Sequence, residues 1–245
     1  MILKKLRGLA KRTAWALTPS PVDAYGERTI VYLPRFDESQ ADDFLLDLAY
    51  NAIARARQLK LDSVVARQHA GATDHPNLWP GEHYRLLAAI VDVLAPRRIV
   101  EIGTYQGLSA LSMLTTLPPG SELVTFDVVP WHQIDHCCLR PTDFEGGKLR
   151  QVIADLSEAS TFNIHADTLK AAQVIFIDAP KNGIFEPRLV DLLLKSGDIR
   201  DKLVVFDDIH NWNMLALWRG ISFPKLDLTS FGHWTGSGLV HWRPV

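Results

Sequence analysis

Asp178 and Lys181 in "QVIFIDAPKNG", and Asp207, Asp208 and His210 in "KLVVFDDIHNW", stand at the ends of short apolar runs. Charge at such places is costly unless it is paired or used. If the two runs are neighbouring parallel strands, about 5 Å apart, their tips bring three carboxylates together. Like charges that close push one another's pKa upward unless a cation neutralises them. An all-oxygen set with room for water and a substrate hydroxyl suits Mg²⁺, Mn²⁺ or Ca²⁺ better than zinc. Such a cation lowers the pKa of an alcohol it binds, which points to chemistry at a hydroxyl. Asp178, Asp207 and Asp208 are therefore the metal candidates, and Asp178, Lys181 and His210 the catalytic ones. Lys181 would have its pKa depressed beside a metal, and His210 titrates near neutrality unaided.

The elements that must position these residues read as follows. Nearly continuous apolar runs at 98–102, 123–126, 149–153, 174–177 and 203–206 alternate with helical stretches. Runs of that kind suit strands buried on both faces of a parallel sheet covered by helices, an α/β, Rossmann-like doubly wound fold. The tail has two β-like runs, 226–229 and 238–242, joined through glycine without a helix, so they pair antiparallel as a hairpin. Upstream, 39–60 reads as a helix with Ser39 as N-cap, and 82–94 as another with Leu86, Leu87, Ile90, Val91 and Leu94 on one apolar face.

After the first strand, "RIVEIGTYQGLSALSML" puts Gly103 and Gly107 in a turn that opens a helix near Leu108. Ligands of open α/β sheets sit outside the carboxyl ends of the strands, which makes this turn the cofactor site. The G-x-x-x-G spacing is neither a dinucleotide fingerprint nor a P-loop. A helix start still attracts a carboxylate, and Ser109 can add a hydroxyl. Asp127, ending the second strand, can accept both hydroxyls of a ribose. A ligand with an amino-acid end and a ribose is S-adenosylmethionine.

The stretch "VEIGTYQGLSAL" resembles the first motif of class I S-adenosylmethionine-dependent methyltransferases, in particular the catechol O-methyltransferase-like branch. The resemblance covers roughly 82–245 and implies a seven-stranded sheet ending in an antiparallel hairpin. It places Gly103 and Gly107 beside the methionine part, counts Tyr105 in the cofactor site and gives Ser109 the carboxylate and Asp127 the ribose. It sets Asp155 near the adenine and makes Glu101 a shaper of the pocket. Metal-dependent relatives of this type have Asp, a Lys three residues on, and Asp-Asn; Asp178, Lys181 and Asp207 match, whereas Asp208 departs. An Asp-Asp pair is similar to the macrocin-type sugar O-methyltransferases, so the acceptor hydroxyl stays open between small molecule and sugar. The alternatives are a non-catalytic cofactor binder of the same fold and an NAD-dependent oxidoreductase, which the missing fingerprint disfavours.

With 26 basic against 28 acidic residues the chain offers nucleic acid no general attraction. Cys137 and Cys138 lie in no metal or disulfide spacing, which fits a reducing, cytoplasmic setting. Residues 1–80 are expected to form an N-terminal helical extension and 81–245 the methyltransferase domain. Within the extension, Leu3, Leu6 and Leu17 face away from Lys4, Lys5, Arg7, Lys11 and Arg12. Docking of this basic amphipathic helix on its own domain or on a second copy of the chain is favoured over contact with a membrane surface. Trp212, Met214, Trp218, His233 and Trp234 are candidates to line an acceptor pocket, and Glu82, His83 and Tyr84 to close over the cofactor.

Overall fold

The computed structural model describes residues 39–243. The expected amphipathic helix lies outside the described residues, as does the side chain of Trp212. Apolar runs form strands because alternate side chains can be buried on opposite faces, and seven strands are described: β1 (Arg98–Ile102), β2 (Glu122–Asp127), β3 (Leu149–Ile153), β4 (Val174–Ile177), β5 (Lys202–Asp207), β6 (Lys225–Asp227) and β7 (Ser237–Trp242). They make one sheet in the order β3-β2-β1-β4-β5-β7-β6. β1 to β5 run parallel, and β7 is antiparallel to both β5 and β6. This is the doubly wound, mostly parallel sheet with a terminal antiparallel pair that the sequence pattern implied.

The register delivers the chemistry. Ile102 pairs with Ile177, and Ile177 with Phe206, so β1, β4 and β5 end level with one another. Gly103, Asp178 and Asp207 consequently leave the sheet at one edge.

Seven helices are described: α1 (Asp43–Ala56), α2 (Asp62–Val65), α3 (Tyr84–Leu94), α4 (Leu108–Leu114), α5 (Ala159–Ala171), α6 (Phe185–Lys195) and α7 (Trp212–Gly220). α1, α3 and α4 cover one face, packing on Ile99, Phe176 and Val205; α5, α6 and α7 cover the other, packing on Val100, Ile175 and Val204. The alternation along each strand sends Glu101 and Asp207 to the α1/α3/α4 side.

Three expectations need correction. β3 is not buried on both faces: it is the outer strand, with Arg150 exposed and Ile153 half exposed. The first helix starts later than Ser39 and stops before residue 60. Asp42 is its N-cap, accepting from the Leu45 N–H at 3.1 Å while its second oxygen meets His241 Nδ1 of β7 at 2.7 Å. Ser39 instead donates to the Ser222 carbonyl. Finally, the compact unit begins at Ser39 rather than at residue 81. Leu45, Leu48, Ala49 and Ala52 of α1 are buried in the same core as α3, so residues 39–80 are part of the sheet domain.

Candidate active site

At the end of β1 the chain must turn against the end of β4. Gly103 has φ +103°, and a Cβ there would lie 1.8 Å from the Asp178 carbonyl oxygen. Both the backbone angle and the approach require glycine. Gly107, φ +78°, is the N-cap of α4. Between them Tyr105 takes φ +41°, an uncommon angle for a side-chain-bearing residue, with its ring mostly exposed. The turn is held by Asp127: Oδ2 accepts from the Thr104 and Tyr105 N–H groups at 2.9 and 3.0 Å, and Oδ1 from Val129 N–H at 3.0 Å. Asp155 Oδ1 similarly accepts from the N–H and hydroxyl of Ser157.

These residues surround a cleft of about 530 Å³ that Gly103, Tyr105, Asp127, Asp155, Asp178 and Phe185 help to line. A larger opening of about 840 Å³ lies by Arg97, Glu122 and Lys148, at the amino ends of β1 and β2. We take the smaller as the cofactor site because it lies at the carboxyl ends of the strands, where ligands of such sheets bind. Glu101, Gly107 and Ser109 stand behind the cleft rather than on its wall. The Ser109 hydroxyl is turned inward and donates to Glu101 Oε1 at 2.6 Å, both residues being buried. Burial raises the Glu101 carboxyl to about 7 even though the Ser109 and Thr125 hydroxyls support its charge.

Beside the cleft the ends of β4 and β5 meet. Lys181 pairs with Asp178, lies 2.8 Å from Asp208 Oδ2 and 3.9 Å from Asp207 Oδ2. Lys181 and Asp208 both have left-handed backbone angles, φ +51° and +59°. Two such residues at one site are strain that local packing must hold in place. Thr235 donates to Asp208, and His233 Nδ1 stands 3.2 Å from Asp208 and 3.6 Å from Asp207. His233 Nε2 is 3.3 Å from Glu82 Oε2. His83 Nδ1 is 3.4 Å from Asp207 Oδ1.

The electrostatics follow from burial and crowding. Burial favours neutral Asp178 and so does the charge of Asp207; Lys181 and His83 oppose them, and the carboxyl is raised. Asp208 goes the other way: burial would raise it, but hydrogen bonds from His233, Lys181 and Thr235 hold it well below the usual carboxylate range. Lys181 is raised, burial being outweighed by its three acids, which reverses the depression expected from the sequence. Burial likewise favours neutral His83, yet Asp207, Asp178 and Glu82 together lift it to about 9.

A family profile described as O-methyltransferase matches residues 78–221. The chain belongs to the O-methyltransferase family. It is therefore an enzyme that uses S-adenosylmethionine to methylate an oxygen. No curated protein is similar enough in sequence to match it. Among solved structures it is similar in fold to a Staphylococcus aureus protein provisionally named a caffeoyl-CoA O-methyltransferase. The two are 14% identical with a TM-score of 0.51, over 80% of this chain and 99% of that one. Others include the SAH-bound Podospora anserina methyltransferase PaMTH1 (18% identity, TM-score 0.47, 91% and 94% covered). A methyltransferase from Geobacter sulfurreducens also matches (17%, 0.49, 91% and 96%).

In this O-methyltransferase the structure brings Asp178, Lys181, Asp207 and Asp208 together, and Gly103, Tyr105, Asp127 and Asp155 onto one cleft. It binds His210 Nε2 to Asp227 of β6 at 2.7 Å. His83 and His233 stand beside the three acids. Single ligand atoms of His83, Asp178 and Asp207 lie within 4.8 Å of one another, as do those of Asp207, Asp208 and His233, and of Glu82, His83 and His233. Neither ring nitrogen of His83 nor Asp207 Oδ1 completes a hydrogen bond, so the donors fit a divalent cation. Met214 and Trp218 do not line an acceptor pocket; they are buried in the core under α7. Trp234 is exposed, against Gly81. His233, named as a pocket candidate from the sequence, is bridged to Gly81 in the segment before α3.

Proposed function

We propose that this O-methyltransferase moves the methyl group of S-adenosylmethionine to a hydroxyl of a small molecule or sugar, assisted by a divalent cation at the carboxylate cluster. The observation that carries this reading is the double position of Asp178, which lines the glycine-turn cleft and belongs to the cluster. A donor in the cleft and an acceptor over the cluster meet at that residue. The β1–α4 turn with Gly103 and Tyr105 holds the methionine part, Asp127 the ribose and Asp155 the adenine side.

The acceptor oxygen attacks the methyl carbon as the carbon–sulfur bond breaks, and the sulfonium becomes a neutral thioether. Asp178 takes the hydroxyl proton, its basicity strengthened by burial and by Asp207. Lys181, which keeps its own proton among three acids, positions Asp178 and steadies its charge. A cation bound at the cluster supplies a lowered pKa at the acceptor hydroxyl. A second reading gives the proton to His210, because Asp227 orients its ring as an acid–histidine pair.

The test is a methyl-transfer screen over phenols, sugars and polyketide hydroxyls, repeated after dialysis against EDTA and after restoring Mg²⁺ or Mn²⁺. Transfer to one of these classes that disappears on dialysis and returns with metal supports the proposal. Transfer indifferent to EDTA overturns the cation's part. Tight cofactor binding with no transfer to any acceptor assigns the chain to the non-catalytic binders instead.

A further inference from the structure

His83 is the least explained residue of the site. It precedes α3, is 4% exposed, and neither of its ring nitrogens completes a hydrogen bond. A neutral imidazole has one donor and one acceptor, and leaving either unmet in a buried place costs about 1–3 kcal/mol. Its nearest polar neighbour, Asp207 Oδ1, is also buried and unmet, 3.4 Å from Nδ1. The two unmet groups face one another at the centre of the cluster.

His233 lies on the other side, 3.6 Å from the same Asp207 oxygen, but its Nδ1 already meets Asp208 and Thr235. Asp207 is grouped with His83 and Asp178 in one set of ligand atoms within 4.8 Å, and with His233 and Asp208 in another. The acids Glu82, Asp178, Asp207 and Asp208 all stand in such groups around the two histidines. A cation between His83 and Asp207 would meet the unmet atoms of both.

We propose that the cation of this site is a first-row transition ion bound through nitrogen, by His83 with Asp207, rather than an all-oxygen Mg²⁺ or Ca²⁺. The proposal rests on the cation-assisted reading above and adds the ion's class and ligands. Mg²⁺ and Ca²⁺ take oxygen ligands and hold imidazole weakly, whereas imidazole suits Mn²⁺, Fe²⁺, Co²⁺ and Zn²⁺ increasingly well along the series. Asp178 is then left to face the cleft with Lys181.

The experiment uses the full chain after dialysis against EDTA, with Mn²⁺ alone as the probe. Pulsed electron paramagnetic resonance of the bound Mn²⁺ should show ¹⁴N modulation, and Mg²⁺ should displace Mn²⁺ only in about tenfold or greater excess over equal competition. His83→Gln should lose nitrogen modulation and weaken Mn²⁺ binding about tenfold or more. Because the wild-type spectrum and competition need no variant, a misfolded His83→Gln leaves the proposal testable, and His233→Gln, which should keep the nitrogen modulation, serves as the second variant. Bound Mn²⁺ without nitrogen modulation, matched by Mg²⁺, overturns this proposal and leaves cation-assisted transfer standing. Unchanged modulation in His83→Gln overturns the assignment of His83. No binding of either ion, with or without S-adenosylmethionine, overturns both readings.

Discussion

The two halves of the strand edge treat their polar groups in opposite ways. Under the glycine turn, Asp127 accepts three backbone N–H groups, Asp155 accepts two donors and Ser109 donates to Glu101. At β4 and β5, acids crowd together, His83 and Asp207 Oδ1 make no hydrogen bond, and two residues sit at left-handed angles. The first half is a scaffold complete without a ligand but for Glu101 Oε2, which makes no hydrogen bond behind the cleft. The second is incomplete, and buried polar groups left so are a sign of an absent partner.

Asp178 belongs to both halves, so changing it should have the largest effect. Asp178→Asn keeps the shape and removes the proposed proton acceptor. Methyl transfer should fall about 10²- to 10⁴-fold, with S-adenosylmethionine affinity changed only a few-fold by calorimetry. Equal losses in both would erase the contrast between a binding half and a reacting half.

Gly103→Ala strikes the scaffold. The new methyl would need the space of the Asp178 carbonyl and an angle that alanine rarely adopts. Overpacking and backbone strain together should cost about 3 kcal/mol in urea unfolding, and the cofactor should bind weakly to what folds. Wild-type stability and affinity would show that the turn yields, contrary to the rigidity inferred for it.

What the sequence made legible follows the same division. β1, β2, β4 and β5 were readable because strands buried on both faces are continuously apolar, and the glycine turn because its spacing is local. β3 misled because an outer strand can keep apolar residues exposed, as Ile153 does. The cap of α1 fell to Asp42 over Ser39 because Asp42 also reaches His241 on the last strand, a contact no local pattern contains. His83 and His233 were read only as closing over the cofactor and lining a pocket; their approach to Asp207, helped by the Gly81 bridge, is a contact that no spacing contains. Lys181 was placed correctly beside the acids but with the opposite proton affinity, because the acids themselves outweigh burial.

Glu101 offers a smaller test of how settled the scaffold is. Folded, it holds its proton up to about pH 7, while the reference value is 4.5. The folded state therefore binds more protons across that interval, and this group's contribution to stability falls as pH rises through it, by about 3 kcal/mol at most. Glu101→Gln removes the titration. Relative to wild type the variant should gain stability in urea between pH 5 and pH 8, and a constant difference would mean that Glu101 is ionised in the folded chain at both.

Ser109→Ala should have the smallest effect and divides two roles for one hydroxyl. If Ser109 only supports Glu101, its loss costs about 1 kcal/mol of stability and leaves cofactor affinity within about twofold. If the hydroxyl turns to the carboxylate of S-adenosylmethionine when that ligand binds, affinity should drop about tenfold, the worth of a hydrogen bond to a charged group. The inward donation to Glu101 at 2.6 Å favours the first outcome. The second would show that the completed half of the site also rearranges for its ligand, narrowing the difference between the two halves to the carboxylates and histidines alone.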